Sequence, residues 1–455
     1  MTKATTPHTS SIWPAARPAE YPADWRAALR SPGAWWRQLV ALVAAAAAGG
    51  AALYFIYAER RSVGFIQAAM ERSPYLPPLI VGVGVIVITR LRDRLFPGTE
   101  GTGIPQVMAA LEMPDPAARG RLLSLRVAFG KLLLLTLGLF CGATLGREGP
   151  TVHVAACCLY LSRRVARFPA PIVERALILA GGAAGIAAAF NAPIAGIVFA
   201  FEEIARAYDK RSTGLIVRTV AVACLVCIGA LSDYLFYGQV DVQLHTLREW
   251  AAVPAIGLGG GILGGCFARA VARTTPRLVR IARRRPYAIA GSLGLALALL
   301  GLLSDGATYG GGDEQAHAIL IAGQSLPATY PLLKAAGSFV TLISAIPGGL
   351  FAPCLSVGAG LGQLVARLLP EMNRQAVVLL AMGAYFSGVV QSPITAAVIL
   401  FEMTAARSML LPLLLATVLA YQASRLVCPV SLYEVLAESF LRRARSPGGH
   451  EQVHE

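Results

Sequence analysis

The sequence predicts an all-α integral membrane protein made of two repeated halves, with many helices broken or re-entrant at membrane depth. Three observations carry this. Of 455 residues, 56% are hydrophobic and only 14% charged, against about 25% charged in soluble domains. Apolar segments recur from Leu39 almost to the end of the chain, and many are too short to cross a bilayer and begin at or beside a proline. Such segments suit half-helices that meet around a substrate. Finally, several short motifs of the first half return in the second in the same order.

Residues 1–37 are polar and Pro-rich and lack the apolar core and cleavage site of a signal peptide. They read as a cytoplasmic tail leading into a surface helix around residues 25–37. Segments 39–57, 122–145, 216–236 and 287–303 are long enough to span, since a crossing takes about 20 residues and a helix satisfies its own backbone in lipid. Segments 104–111, 193–201, 353–364 and 393–401 are short, which fits poorly with a simple bundle of seven or twelve spans. The expected layout is a membrane domain over 38–441, in halves of about 38–237 and 251–441. A short basic tail over 442–455 follows.

The net charge of +15 is spread through arginine clusters between apolar segments, such as Arg60-Arg61, Arg163-Arg164 and Arg283-Arg284-Arg285. Positive-inside topology accounts for them; no basic face interleaved with aromatics points to nucleic acid. The eight cysteines lie mostly inside apolar runs. Cys224 and Cys227 form a CxxC without a second pair or a nearby histidine, so they read as buried small residues, with neither metal nor cofactor implied. Gly257 to Gly265 lies inside an apolar helix with no strand before it, which argues for close helix packing and against a dinucleotide loop.

The repeat is specific. Asn191-Ala192-Pro193-Ile194 through Phe201-Glu202 matches Gln391-Ser392-Pro393-Ile394 through Phe401-Glu402, an offset of 200. Gly146-Arg147-Glu148-Gly149-Pro150 matches Gly349-Leu350-Phe351-Ala352-Pro353, an offset of 203, and a lone lysine (Lys131, Lys334) stands 15 residues upstream of each. The lysines read as structural, as do His153 and Glu402.

Four stretches become candidates for one site: Gly101 to Pro105, Gly146 to Pro150, Gly348 to Pro353, and Tyr433 with its neighbours. The first three are glycine turns with proline at or near a helix start. Converging helix starts would aim N–H groups and partial positive charge at one point. Partial charges let a desolvated anion enter and leave, whereas a full lysine charge would hold it too tightly. Thr102 and Tyr433 add neutral hydroxyl donors. Glu148, an ionisable residue at membrane depth, is a functional candidate by default.

Together these motifs resemble those of the CLC family of chloride channels and chloride/proton antiporters, by order and spacing from about Leu39 to Leu441. The resemblance implies a homodimer with one anion pathway per subunit and inverted repeats carried by about 17–18 helices. It also implies a multi-pass inner-membrane protein with cytoplasmic termini, a transporter and not an enzyme. Its substrates are chloride and protons. Glu148 matches the gating glutamate, whose carboxylate occupies an anion site until a proton removes its claim. Leu350 and Phe351 match donors of backbone N–H groups, Thr102 and Tyr433 of hydroxyls, and Arg147 and Gly149 of amides to the outer site. Glu203 matches the inner proton-transfer glutamate of the antiporters, and Glu202 a neighbouring acid that helps water and protons reach it. The alternative is a passive voltage- or proton-gated chloride channel, favoured if Glu202 and Glu203, which precede Arg206, Asp209, Lys210 and Arg211, are a solvated helix end.

Two departures bear on the anion. Thr102 stands where chloride-selective members have serine and nitrate-preferring plant members proline. Tyr433 supplies a hydroxyl that the fluoride-exporting branch lacks. No pair of regulatory nucleotide-binding domains is expected after Leu441.

Overall fold

The computed structural model describes residues 31–168, 170–208, 210–232 and 235–445. Among them stand eighteen α-helices and no strand. The first half holds α1 (Pro32–Arg72), α2 (Leu76–Leu95), α3 (Ile104–Glu112), α4 (Pro116–Leu122), α5 (Leu125–Phe140), α6 (Glu148–Ala166), α7 (Ala170–Phe190), α8 (Pro193–Phe199) and α9 (Lys210–Leu231). The second holds α10 (Leu247–Ala282), α11 (Pro286–Leu303), α12 (Asp313–Leu320), α13 (Tyr330–Ile343), α14 (Phe351–Leu368), α15 (Arg374–Val390), α16 (Pro393–Thr404), α17 (Leu410–Val427) and α18 (Leu432–Arg445).

Several expected boundaries move, each for a local reason. Residues 32–37 are not a separate surface helix: Ser31 caps Ala34 N–H at 3.1 Å, Pro32 occupies the first turn, and the helix runs unbroken to Arg72. The part of that expectation at 25–30, and the tail before it, lie outside the described residues. The apolar run 122–145 is not one helix, because Ser124 starts α5 by capping Val127 and α5 ends at Phe140, before Gly142 turns at φ +77°; with α4 before it, 116–140 is still long and apolar enough to span. Segment 353–364 proves to be the middle of an 18-residue helix. Pro353 sits in its first turn, where a proline forfeits no helical hydrogen bond. The chain after 441 continues as helix to Arg445; residues 446–455 lie outside the described residues.

Among the described residues, eight helical segments are long and apolar enough to cross a membrane. α6, α14 and α15 are buried nearly all round, while α1, α2, α10 and α17 turn leucines and valines outward. That division places the site-bearing helices in the centre of the fold. The glycine-rich stretch of α10 packs as a seam: a Cβ on Gly257 would lie 2.7 Å from Ala416 O of α17, and one on Gly264 2.6 Å from Tyr385 O of α15.

The halves meet through matched contacts. Gly146 and Gly349 form an antiparallel bridge, with N–H to O distances of 2.9 and 2.6 Å. Lys131 donates to the carbonyls of Thr99 at 2.7 Å and Gly101 at 2.5 Å; Lys334 donates to those of Thr308 at 3.1 Å and Gly310 at 2.9 Å. Each ammonium gathers a glycine loop just before a short helix, α3 or α12. Glu402 accepts from the N–H groups of Ile194 and Ala195 at the start of α8, and Glu202 accepts from those of Ile394 and Thr395 at the start of α16. A carboxylate there complements the positive end of each helix.

Candidate anion and proton site

The bridge between Gly146 and Gly349 sets the first turns of α6 and α14 side by side. It works because both positions lack a side chain: a Cβ on Gly349 would lie 2.9 Å from Glu148 Oε2. The Glu148 carboxylate, fully buried, folds over this glycine pair and accepts from the Ala352 N–H at 3.5 Å. The start of α3 closes on the same point. Gly103 takes φ +102°, a left-handed conformation that glycine adopts without strain. A Cβ on Gly149 would meet Thr102 O at 2.7 Å. α18 brings Tyr433 against Phe351, ring centroids 6.3 Å apart. All four predicted stretches therefore converge.

Thr102, Glu148 and Tyr433 are 1%, 0% and 0% exposed. Thr102 Oγ1, Tyr433 OH and Glu148 Oε1 are buried and hydrogen-bond to nothing among the described residues. Buried polar atoms are nearly always paired, so three orphans in one place mark a site for a ligand. Two are neutral hydroxyl donors, and the starts of α6 and α14 lie beside their residues: a Cβ on Gly149 would lie 3.1 Å from Thr102 Cβ, and Phe351 packs on the Tyr433 ring. Donors without a full positive charge suit a small desolvated anion.

Glu203 lies in a π-helical turn, Ala200–Ile204, that continues α8. It is 2% exposed and is no part of a solvated helix end. Ser392 donates to its Oε2, Ser431 donates to Oε1 at 3.5 Å, and Arg206 lies 3.7 Å away. The serines were not singled out from sequence; the signal was present in the repeat, since Ser392 replaces the Ala192 of the first half. Glu202 points elsewhere: besides its two N–H bonds it accepts from the Thr395 hydroxyl at 2.6 Å, so its carboxylate closes α16.

The Arg147 guanidinium forms an ion pair with Glu59 and lies over the Phe236 ring at 5.3 Å. Glu59, 7% exposed on α1, is a third residue that sequence reasoning missed. His153 Nε2 lies 3.0 Å from Leu122 O, a packed histidine as expected.

A family model described as voltage gated chloride channel matches residues 84–425. An H(+)/Cl(-) exchange transporter ClcA of Vibrio cholerae serotype O1 is 30% identical over 374 residues, 78% of this chain and 77% of that one. One from Yersinia pestis bv. Antiqua is 31% identical over 349 residues, 71% of this chain and 69% of that one. Among solved structures, a slow cyanobacterial Cl-/H+ antiporter superposes with a TM-score of 0.78 at 25% identity, covering 90% of this chain and 99% of that one. A CLC-type fluoride/proton antiporter shares the fold, with a TM-score of 0.75 at 23% identity over 88% of this chain and 97% of that one.

Proposed function

The chain belongs to the voltage-gated chloride channel family, and from that premise we propose that it exchanges chloride, or a similar monovalent anion, for protons across the inner membrane. One observation carries the reading: two buried carboxylates reach the neighbours of the orphan Tyr433 hydroxyl, Glu203 through Ser431, two residues before it, and Glu148 through Ala352, next to the Phe351 that packs on the Tyr433 ring. A single acid would serve to gate an anion path. A second, on another motif and held by Ser392 and Ser431, gives the proton a titratable relay of its own.

Glu148 works by competition. Its carboxylate has the charge of a halide and accepts from the same N–H groups at the start of α14. Protonation cancels that charge, so the side chain withdraws and the anion takes the donors; anion departure returns the carboxylate, and the proton is released. Thr102 and Tyr433 hold the anion at the inner end, Leu350, Phe351, Arg147 and Gly149 contribute amides, and Glu203 passes the proton. Glu202 serves by fixing the start of α16, which carries Ser392 to Glu203. The termini are cytoplasmic and the working unit is a homodimer, the arrangement the family resemblance implies. Names of the ClcA relatives favour exchange over a passive channel.

In proteoliposomes an imposed chloride gradient should drive protons uphill, and a panel of halides and nitrate gives the preferred anion. Anion flux with no proton movement rejects exchange in favour of a channel. Glu148→Ala should leave anion flux and abolish coupling; surviving coupling would remove Glu148 from the gate.

A further inference from the structure

A cavity of about 240 Å³ opens beside the start of α6, where Arg147 precedes Glu148. Glu59, Arg60 and Arg147 line it together with Tyr309, Gly311 and Asp313. Its floor is thin. A Cβ on Gly311 would lie 3.2 Å from Glu59 Oε1 and 3.3 Å from the Cβ of Ala352, the residue whose N–H faces Glu148. An anion leaving the Glu148 position outward passes this wall.

The loop over this cavity is the second-half copy of the anion loop. Thr99-Glu100-Gly101-Thr102-Gly103 and Thr308-Tyr309-Gly310-Gly311-Gly312 share an offset of 209, both gathered by a buried lysine and both ending in a left-handed glycine, φ +102° and +89°. The copies differ in charge. α3 starts on neutral Ile104, α12 on Asp313, whose Oδ1 is buried and accepts no hydrogen bond among the described residues. Asp313 faces the charges of Glu59, Arg147, Glu148 and Lys334.

We infer that Glu59 and Asp313 offset the Arg147 guanidinium and thereby set how readily the anion leaves on the outer side. Glu59 is a positioning residue acting through Arg147: its carboxylate pairs with the guanidinium, so that the passing anion meets a neutralised pair and not a full positive charge. Asp313 balances the same cation from across the cavity. Without them Arg147 would be an anion trap in a low-dielectric wall. The inference rests on the exchange reading, because it concerns release of the transported anion.

The test is chloride flux of the full-length protein in proteoliposomes, measured against chloride concentration for wild type, Glu59→Gln, Glu59→Asp and Asp313→Asn. Loss of a unit negative charge beside Arg147 should tighten anion binding, on the order of tenfold for a unit charge within about 10 Å at an effective dielectric near 20. Glu59→Gln should therefore lower KM about tenfold and lower kcat with it, because a tighter anion leaves more slowly. Glu59→Asp should keep wild-type values, and Asp313→Asn should shift both constants in the same direction by less. A merely structural loss would lower kcat without lowering KM. If Glu59→Gln fails to run as a single species on size exclusion, Asp313→Asn decides alone. Unchanged or raised KM in the neutral variants overturns the inference while wild-type exchange stands; a wild type that moves no protons overturns the exchange reading itself.

Discussion

Glu202 and Glu402 make the same contact from opposite halves, which allows a controlled comparison. Glu402→Ala removes bonds from Ile194 N–H at 3.0 Å and Ala195 N–H at 2.6 Å. Glu202→Ala removes bonds from Ile394 N–H at 3.0 Å and Thr395 N–H at 2.6 Å, and also one from the Thr395 hydroxyl at 2.6 Å. The four N–H bonds cancel in the comparison, each pair amounting to a lost helix cap of about 2 kcal/mol. What remains is one charge-assisted hydroxyl bond, about 1.5 kcal/mol. Glu402→Ala should thus cost about 2 kcal/mol and Glu202→Ala about 3.5 kcal/mol. Thr395→Val should remove the difference when placed under Glu202→Ala. Reversible unfolding in detergent measures the stabilities, and proton-coupled chloride flux in proteoliposomes measures function. Only Glu202→Ala loosens the helix start that carries Ser392, so coupling should fall there and persist in Glu402→Ala. Equal stability losses, or coupling lost in Glu402→Ala alone, would refute the reasoning.

Other expectations follow from single contacts. Glu203→Gln should retain chloride flux and lose uphill proton movement; retained coupling in a pH-jump assay would put the relay elsewhere. Thr102→Ser removes one methyl at the inner end of the anion path, worth about 0.8 kcal/mol of contact. Chloride affinity by calorimetry should change by no more than about fourfold, and abolished binding would show that the methyl itself shapes the site. Lys131→Met strips the carbonyls of Thr99 and Gly101 of their donor. That should cost about 3 kcal/mol, at about 1.5 kcal/mol per charged bond; an unchanged unfolding midpoint would mean water replaces the ammonium.

What the chain displays openly is its turn chemistry. Glycine next to a charged pair and a proline gave the start of α6, and the echo of that pattern at Gly349 to Pro353 gave its partner α14. Thr102 and Tyr433 followed from the need for neutral donors. Hidden were contacts whose acceptor is backbone or whose partner is far along the chain. Lys131 reaches three loop carbonyls, which carry no residue signature, so its neat match to Lys334 revealed a repeat and not the reason for it. Glu59 and Arg147 pair across 88 positions. Glu202 had looked like a proton-path residue, and nothing near it in sequence told that its carboxylate closes a helix 192 positions on. Helix limits also slipped where capping outranked hydropathy, as at Ser124, which divides an apolar run that reads as continuous.

The reciprocal closure by Glu202 and Glu402 limits how this molecule can work. To tilt one half against the other would tear both braces at once, together with the glycine bridge beside Glu148. Alternating exposure of the anion therefore cannot come from swinging two rigid blocks. It falls to small swings of individual side chains within a frame that stays locked.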